Sequence, residues 1–182
     1  MALKTFVKVA SITNLTDARY CAGMGVDMLG FQAIQGQQNY ITPSAFQEIR
    51  GWIAGPVIVA EVYGIQNEAE LADVLENYKP DYLEMGLEEL STFSALPLPL
   101  ILSVDNRLHT ETLPIRPAYL ITDDEFDTTI PLLARVQSLE DLKTLITNKN
   151  IAGIVLKGGA ELKPGLKDFE VMNDVLEFLE EE

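Results

Sequence analysis

The sequence predicts an α/β chain closed into a compact TIM (β/α)8 barrel with shortened or missing helices around strands 5–7. Eight short apolar stretches recur from end to end: TFVKVA, VDMLGF, PVIVAEV, PDYLEM, PLILSV, AYLIT, IPLLARV and AGIVLK. Each is β-branched or Leu-rich with almost no polar alternation, as expected of parallel strands buried on both faces. Between most of them lie ten to fifteen residues with helical apolar spacing. In such an architecture chemistry belongs to the loops at the carboxyl ends of the strands.

The first unit is the clearest. Strand Phe6–Ala10 runs into Ser11-Ile12-Thr13-Asn14, whose side-chain oxygens suit the orphan amides of the helix Leu15–Ala22, which ends at Gly23 and Gly25. Strand Val26–Phe31 follows. Pro43 opens a second helix at a position where its missing N–H costs nothing, and that helix reaches about Trp52. After Gly55-Pro56 and the third strand, Asn67 caps the helix Glu68–Tyr78, which Lys79-Pro80 ends. The fourth strand is Asp81–Met85.

The second half is leaner. Only Arg107–Leu113 is available as a helix after strand five, and the segment 123–130 (DDEFDTTI) is too short for one before strand seven. A wall without helices exposes apolar strand faces, so self-association of the chain is expected near strands 6 and 7. Regular structure returns with the helix Leu139–Thr147, strand Gly153–Leu156 and a last helix capped by Asp168, with Phe169, Met172, Val175, Leu176 and Leu179 as its buried stripe.

The totals fit one domain over residues 1–182, 47% apolar, although about 250 residues are typical of this fold. A net charge of −15, from 13 basic and 28 acidic residues, repels phosphate backbones, so nucleic acid is not an expected partner. No window has the eighteen or so apolar residues of a membrane span. Met1-Ala2-Leu3-Lys4 enters a strand directly without a signal peptide, and the single cysteine, Cys21, suits a reducing cytoplasm. No cofactor and no metal site are expected: His109 stands alone, and no Cys/His/carboxylate spacing fits a transition metal.

Two groups of residues could carry chemistry. Gly158-Gly159 follows strand eight, where backbone amides can approach an anion, and Lys157 and Arg135 bring cations to the same end. These four form an expected phosphate- or carboxylate-binding grip; the plainer alternative pairs both cations with nearby carboxylates. Glu61, Glu84, Asp105 and Asp123 stand at or near the ends of strands three to six. Facing inward they would raise one another's pKa into a range useful for acid–base work, or hold a divalent cation through oxygen; the alternative is a solvated rim or pairing with Lys8. Tyr63 and Tyr82 read as packing rather than ligand stacking, Trp52 as core or interface, and Cys21 as a small buried residue.

The run Lys8-Val9-Ala10-Ser11-Ile12-Thr13-Asn14-Leu15, with Asp17-Ala18 after it, resembles the K-I-C-G-I-T-N…L-x-D-A opening of the phosphoribosylanthranilate isomerases of tryptophan biosynthesis. The likeness continues at Gly25-Val26-Asp27, Gly30-Phe31, Tyr40-Ile41 with Pro43, Gly153–Glu161 and Pro164-Gly165 with Lys167-Asp168, and so covers nearly the whole chain. It implies the barrel fold and isomerisation of an aminoaldose phosphate to an aminoketose by general acid–base catalysis. The residues that resemblance would make reactive are changed. The base position holds Ala10. The acid position falls on Thr122, with Asp123 one residue late; an arginine on the substrate carboxylate is Asn39; an aspartate of the last strand is Val155; and a glycine pair after strand seven is Arg135-Val136. The expectation is therefore a divergent relative that binds a small phosphorylated or carboxylate metabolite. If isomerase chemistry persists, Glu84 or Asp105 is the candidate base and Asp123 the acid. The alternatives are a non-catalytic pseudoenzyme that binds a metabolite or protein, and a true isomerase with substituted groups.

Overall fold

The computed structural model describes residues 3–104, 113–123, 127–147, 150–158, 161–163, 166–167 and 170–180. Eight parallel strands close in chain order: β1 (Phe6–Ala10), β2 (Met28–Gln32), β3 (Val57–Glu61), β4 (Tyr82–Gly86), β5 (Leu100–Ser103), β6 (Tyr119–Thr122), β7 (Leu132–Arg135) and β8 (Ile151–Lys157). β1 pairs with both β2 and β8, so the described barrel has no open edge. Around it lie α1 (Leu15–Gly23), α2 (Pro43–Arg50), α3 (Glu68–Tyr78), α4 (Leu87–Leu90), α5 (Leu139–Leu145) and α6 (Glu170–Leu179). A hairpin of β9 (Glu161–Lys163) and β10 (Leu166–Lys167) follows β8.

Local chemistry sets the helix starts. The Asn14 and Asn67 side chains accept from Asp17 N–H and Glu70 N–H, Thr42 and Ser138 do the same for α2 and α5, and Pro43 occupies the first turn of α2. Lys79 ends α3 in the left-handed region at φ 43°, ahead of Pro80. Two aspartates perform a task the sequence reading missed. Asp27 and Asp81 stand just before β2 and β4 and accept, each at 2.8 Å, the N–H of Val7 and of Ile58 on the preceding strands. α4 was also unforeseen; its Glu89 carboxylate accepts from the Gly64 and Gly86 amides, tying two mouth loops together.

Alternate residues of each strand face in. Met28, Val59, Ile101, Ile121, Leu133 and Val155 fill the barrel interior, and Phe6, Tyr82 and Tyr119 plug its amino-terminal end, the Phe6 and Tyr119 rings stacking at 5.5 Å. Tyr82 thus lies at the pole opposite the expected chemistry, as packing. The outward residues join the helices in the larger core, which includes Met172, Val175, Leu176 and Leu179 of α6. Asp168 and Phe169 lie outside the described residues, as does most of the segment 107–113. Lys4 N–H donates to the Leu179 carbonyl at 2.9 Å and fastens the last helix to the first strand.

Two expectations need correction. The wall at β5–β7 has no helix among the described residues, yet its outward side chains Leu100, Leu102, Leu120 and Leu132 are buried, with Leu113, Ile115 and Ile130 packed into the same cluster. Irregular chain replaces the helices there, so the apolar exposure that was to drive self-association is absent from these side chains. Trp52 is neither core nor part of α2: it follows Gly51 and is 70% exposed. Cys21 is buried as expected, 3.7 Å from Met172 Sδ, and burial pushes its thiol up to about 12. Among the described residues no helix is long and apolar enough to cross a membrane.

Gly30 occupies an inward position of β2 where a Cβ would stand 2.0 Å from Glu61 Oε1 and 2.9 Å from Lys8 Nζ. Its alanine variant must displace a buried ion pair. Gly30→Ala is expected to lower unfolding free energy by about 1–3 kcal/mol in urea titrations. Gly23→Ala, where nothing lies within 4 Å of the added carbon, should leave it within about 1 kcal/mol of the wild type.

Candidate active site at the carboxyl mouth of the barrel

A cavity of about 580 Å³ opens at the carboxyl ends of the strands, lined by Ala10, Ser11, Glu61, Tyr63, Glu84, Arg135, Lys157 and Gly158, with apolar walls that include Val155 and the start of α6. Its floor is ionic. Lys8 is fully buried inside the barrel, with Nζ 3.1 Å from Glu61 Oε1 and 2.6 Å from Glu84 Oε2. The β3–β4 register sets Glu61 directly beside Glu84, and glycine at position 30 leaves the space through which Lys8 reaches them from β1. Glu61 Oε1 also accepts from Ser11 N–H at 2.9 Å, and its Oε2 accepts from the Ser11 hydroxyl at 3.0 Å. Tyr63 donates its hydroxyl to Glu84 Oε1 at 2.7 Å, while the Oε2 contact with Lys8 is an ion pair without hydrogen-bond alignment.

One ammonium faces two carboxyls, all three nearly buried. Burial raises the proton affinity of Glu84 most; Lys8 opposes this, and Glu61 adds to it, leaving Glu84 above the ordinary carboxylate range. For Lys8, burial pulls downward, but the charges of Glu84 and Glu61 outweigh it and hold the ammonium above its usual value. Burial, then the Glu84 charge, keeps the Tyr63 phenol protonated far above its ordinary range.

The opposite wall is cationic. Arg135 places Nη1 3.0 Å from Asp123 Oδ2 and Nη2 on the Ser103 hydroxyl. Because Tyr119 and Ile121 belong to the inner cluster, alternation turns Thr122 outward and Asp123 into the mouth. Asp123 is half-exposed and is not among the residues lining the cavity; it meets the site through its pairing with Arg135. The pairing of Arg135 with a carboxylate is the plainer of the two roles foreseen for it. Lys157 is exposed at the end of β8. The Gly158 N–H donates to the Ala10 carbonyl at 2.7 Å, and a Cβ there would lie 2.8 Å from that same oxygen, so this amide seals the β1–β8 seam instead of reaching for an anion. Asp105 and Gly159 lie outside the described residues. Asn39, in the left-handed region at φ 63°, is not among the residues lining the cavity.

Reasoning from sequence missed Ser11. Its φ of 56° puts a non-glycine residue in the left-handed region; the signal available was its place one residue beyond an inward strand end, where the resembling family has glycine.

Fold and mouth together define a parallel barrel with a buried acid–base cluster and facing cations around one ligand-sized cavity. No family model matches the chain. It is 25% identical to the N-(5'-phosphoribosyl)anthranilate isomerase of Xylella fastidiosa, over 96% of this chain and 91% of that relative. The solved phosphoribosyl anthranilate isomerase of Thermus thermophilus superposes with a TM-score of 0.74 at 19% identity, covering 95% of this chain and 97% of that one. A phosphoribosyl anthranilate isomerase solved in complex with reduced 1-(o-carboxyphenylamino)-1-deoxyribulose 5-phosphate gives 0.73 at 19% identity with the same coverage. Along nearly its whole length the chain is thus similar to phosphoribosylanthranilate isomerases, in sequence at low identity and in fold.

The raised Glu84 carboxyl sets a sign for pH dependence. A group that binds its proton more tightly when folded stabilises the fold fully below its unfolded pKa, and that contribution is lost as pH rises through its folded value. Unfolding free energies measured from pH 4 upward should therefore fall more steeply in the wild type than in Glu84→Gln, the difference developing above the ordinary carboxylate range.

Proposed function

We propose that this barrel is an isomerase acting on a small aminoaldose phosphate by intramolecular proton transfer, with substituted reactive groups. The observation that carries the reading is the Lys8–Glu61–Glu84 cluster on the cavity floor, whose excess carboxyl provides a proton-binding group close to Ala10, where the family's thiol would stand. In this reading the base is the carboxyl pair of Glu84 and Glu61, joined through Lys8, and Asp123 at the end of β6 is the acid. Arg135 and Lys157 receive the anionic end of the ligand. The analogue held by the solved relative is the reduced form of a phosphorylated aminoketose, which supports a phosphorylated ligand here. None of these steps calls for a cofactor.

A second reading has its own observation. Ala10 cannot move a proton, and the oxygens of Glu61 and Glu84 are engaged within the chain. A barrel built this way can bind a metabolite without transforming it.

Turnover of N-(5'-phosphoribosyl)anthranilate, followed by loss of its fluorescence and by growth of a strain lacking the isomerase, decides between them. The isomerase reading expects turnover, with Glu84→Gln lowering kcat by about 10²–10⁴. No turnover and no growth, with thermal stabilisation by sugar phosphates retained, would establish the binding reading instead. Lys157→Ala is expected to weaken that stabilisation; an unchanged shift would place the anion elsewhere.

A further inference from the structure

Ser11 combines three features. Its backbone is held in a conformation that costs a non-glycine residue about 1–3 kcal/mol, its side chain is partly exposed on the cavity, and both its N–H and its hydroxyl are spent on one buried carboxylate, Glu61. Ordinary alternation would point the residue after inward-facing Ala10 away from the barrel axis; the left-handed turn brings it back. Glu61 itself is 2% exposed, with Oε1 occupied by Lys8 and the Ser11 amide. The Ser11 hydroxyl covers Oε2, the oxygen of this cavity-lining carboxylate that Lys8 and the Ser11 amide leave free.

We infer that Ser11 is a catalytic residue, the hydroxyl that carries a proton between the ligand and the buried Glu61 carboxylate. The inference rests on the isomerase reading. When the C–H bond next to the iminium carbon of an opened aminoaldose breaks, its electron pair forms the C=C bond of an enaminol and the C=N π pair settles on the nitrogen. The proton passes to Ser11 Oγ as the Ser11 hydroxyl proton moves to Glu61 Oε2. The relay run backwards delivers a proton to the neighbouring carbon, and loss of the enol O–H proton to Asp123 completes the aminoketose. Asp123 is returned to the protonation state it held before opening the sugar ring. Lys8, fixed between Glu61 and Glu84, holds its ammonium 3.1 Å from the receiving carboxylate.

Replacement of Ser11 separates this role from a structural one, because glycine takes the left-handed turn without cost. Ser11→Gly should melt no lower than the wild type, yet lose about 10²-fold or more in kcat with KM within about threefold. Incorporation of solvent deuterium into the product carbon should fall with it. Ser11→Thr, which retains a hydroxyl, should recover part of the rate, and Ser11→Ala should not. A wild type that turns over substrate while Ser11→Gly matches it overturns the relay and leaves the isomerase reading standing. A wild type with no turnover removes that reading and the relay together.

Discussion

A lysine with no exposure to water, clamped between two glutamates at the centre of the barrel, organises the rest of the mouth. Burying charge is costly unless each charge finds a partner, and here the partners come from three different strands. Lys8 rises from β1, Glu61 and Glu84 stand side by side on β3 and β4, and β2 contributes Gly30, the absence of a side chain through which the contact is made. The cluster therefore forms only when the four strands are in their final register. It is better read as a device that specifies the mouth than as a source of net stability, since replacing such clusters by apolar groups is often neutral or stabilising.

From that centre the constraints spread outward. Glu61 holds Ser11 in its left-handed turn and so shapes the first mouth loop. The carbonyl of Ala10 is then met by the Gly158 amide, which closes β8 against β1. Glu84 receives the Tyr63 hydroxyl from the loop after β3. That loop is braced from α4 by Glu89, whose two oxygens take the Gly64 and Gly86 amides. Across the cavity, Arg135 gathers Asp123 and Ser103 from the ends of β6 and β5. Acidic groups on β3 and β4 consequently face basic groups on β7 and β8 across a barrel of eight strands.

Much of this was legible in the chain itself. The eight apolar stretches each became a strand, α3 has the bounds its capping asparagine and terminating Lys79-Pro80 imply, and among the described residues no helix lies between β6 and β7. Other features were not. The phase of β6 could not be read because YLIT is apolar on both faces; without hydropathy alternation nothing in the sequence says whether Thr122 or Asp123 enters the mouth. The burial of Leu100, Leu102, Leu120 and Leu132 under irregular chain was equally hidden, since loop packing leaves no periodic trace. Trp52 could be read as core or interface by its type; the turn after Gly51 carries it to the surface, which leaves it out of the core.

Sequence alone determined the strand count, their order, most helix starts and the family likeness, because hydrophobic periodicity, caps and glycine–proline punctuation act over a few residues. Tertiary structure decided which charges meet. Lys8 and Glu61 are 53 residues apart in the chain, and Ser11 and Glu61 are 50 apart. Their contact depends on closure of the sheet, strand stagger and the space left by Gly30, none of which any local pattern encodes.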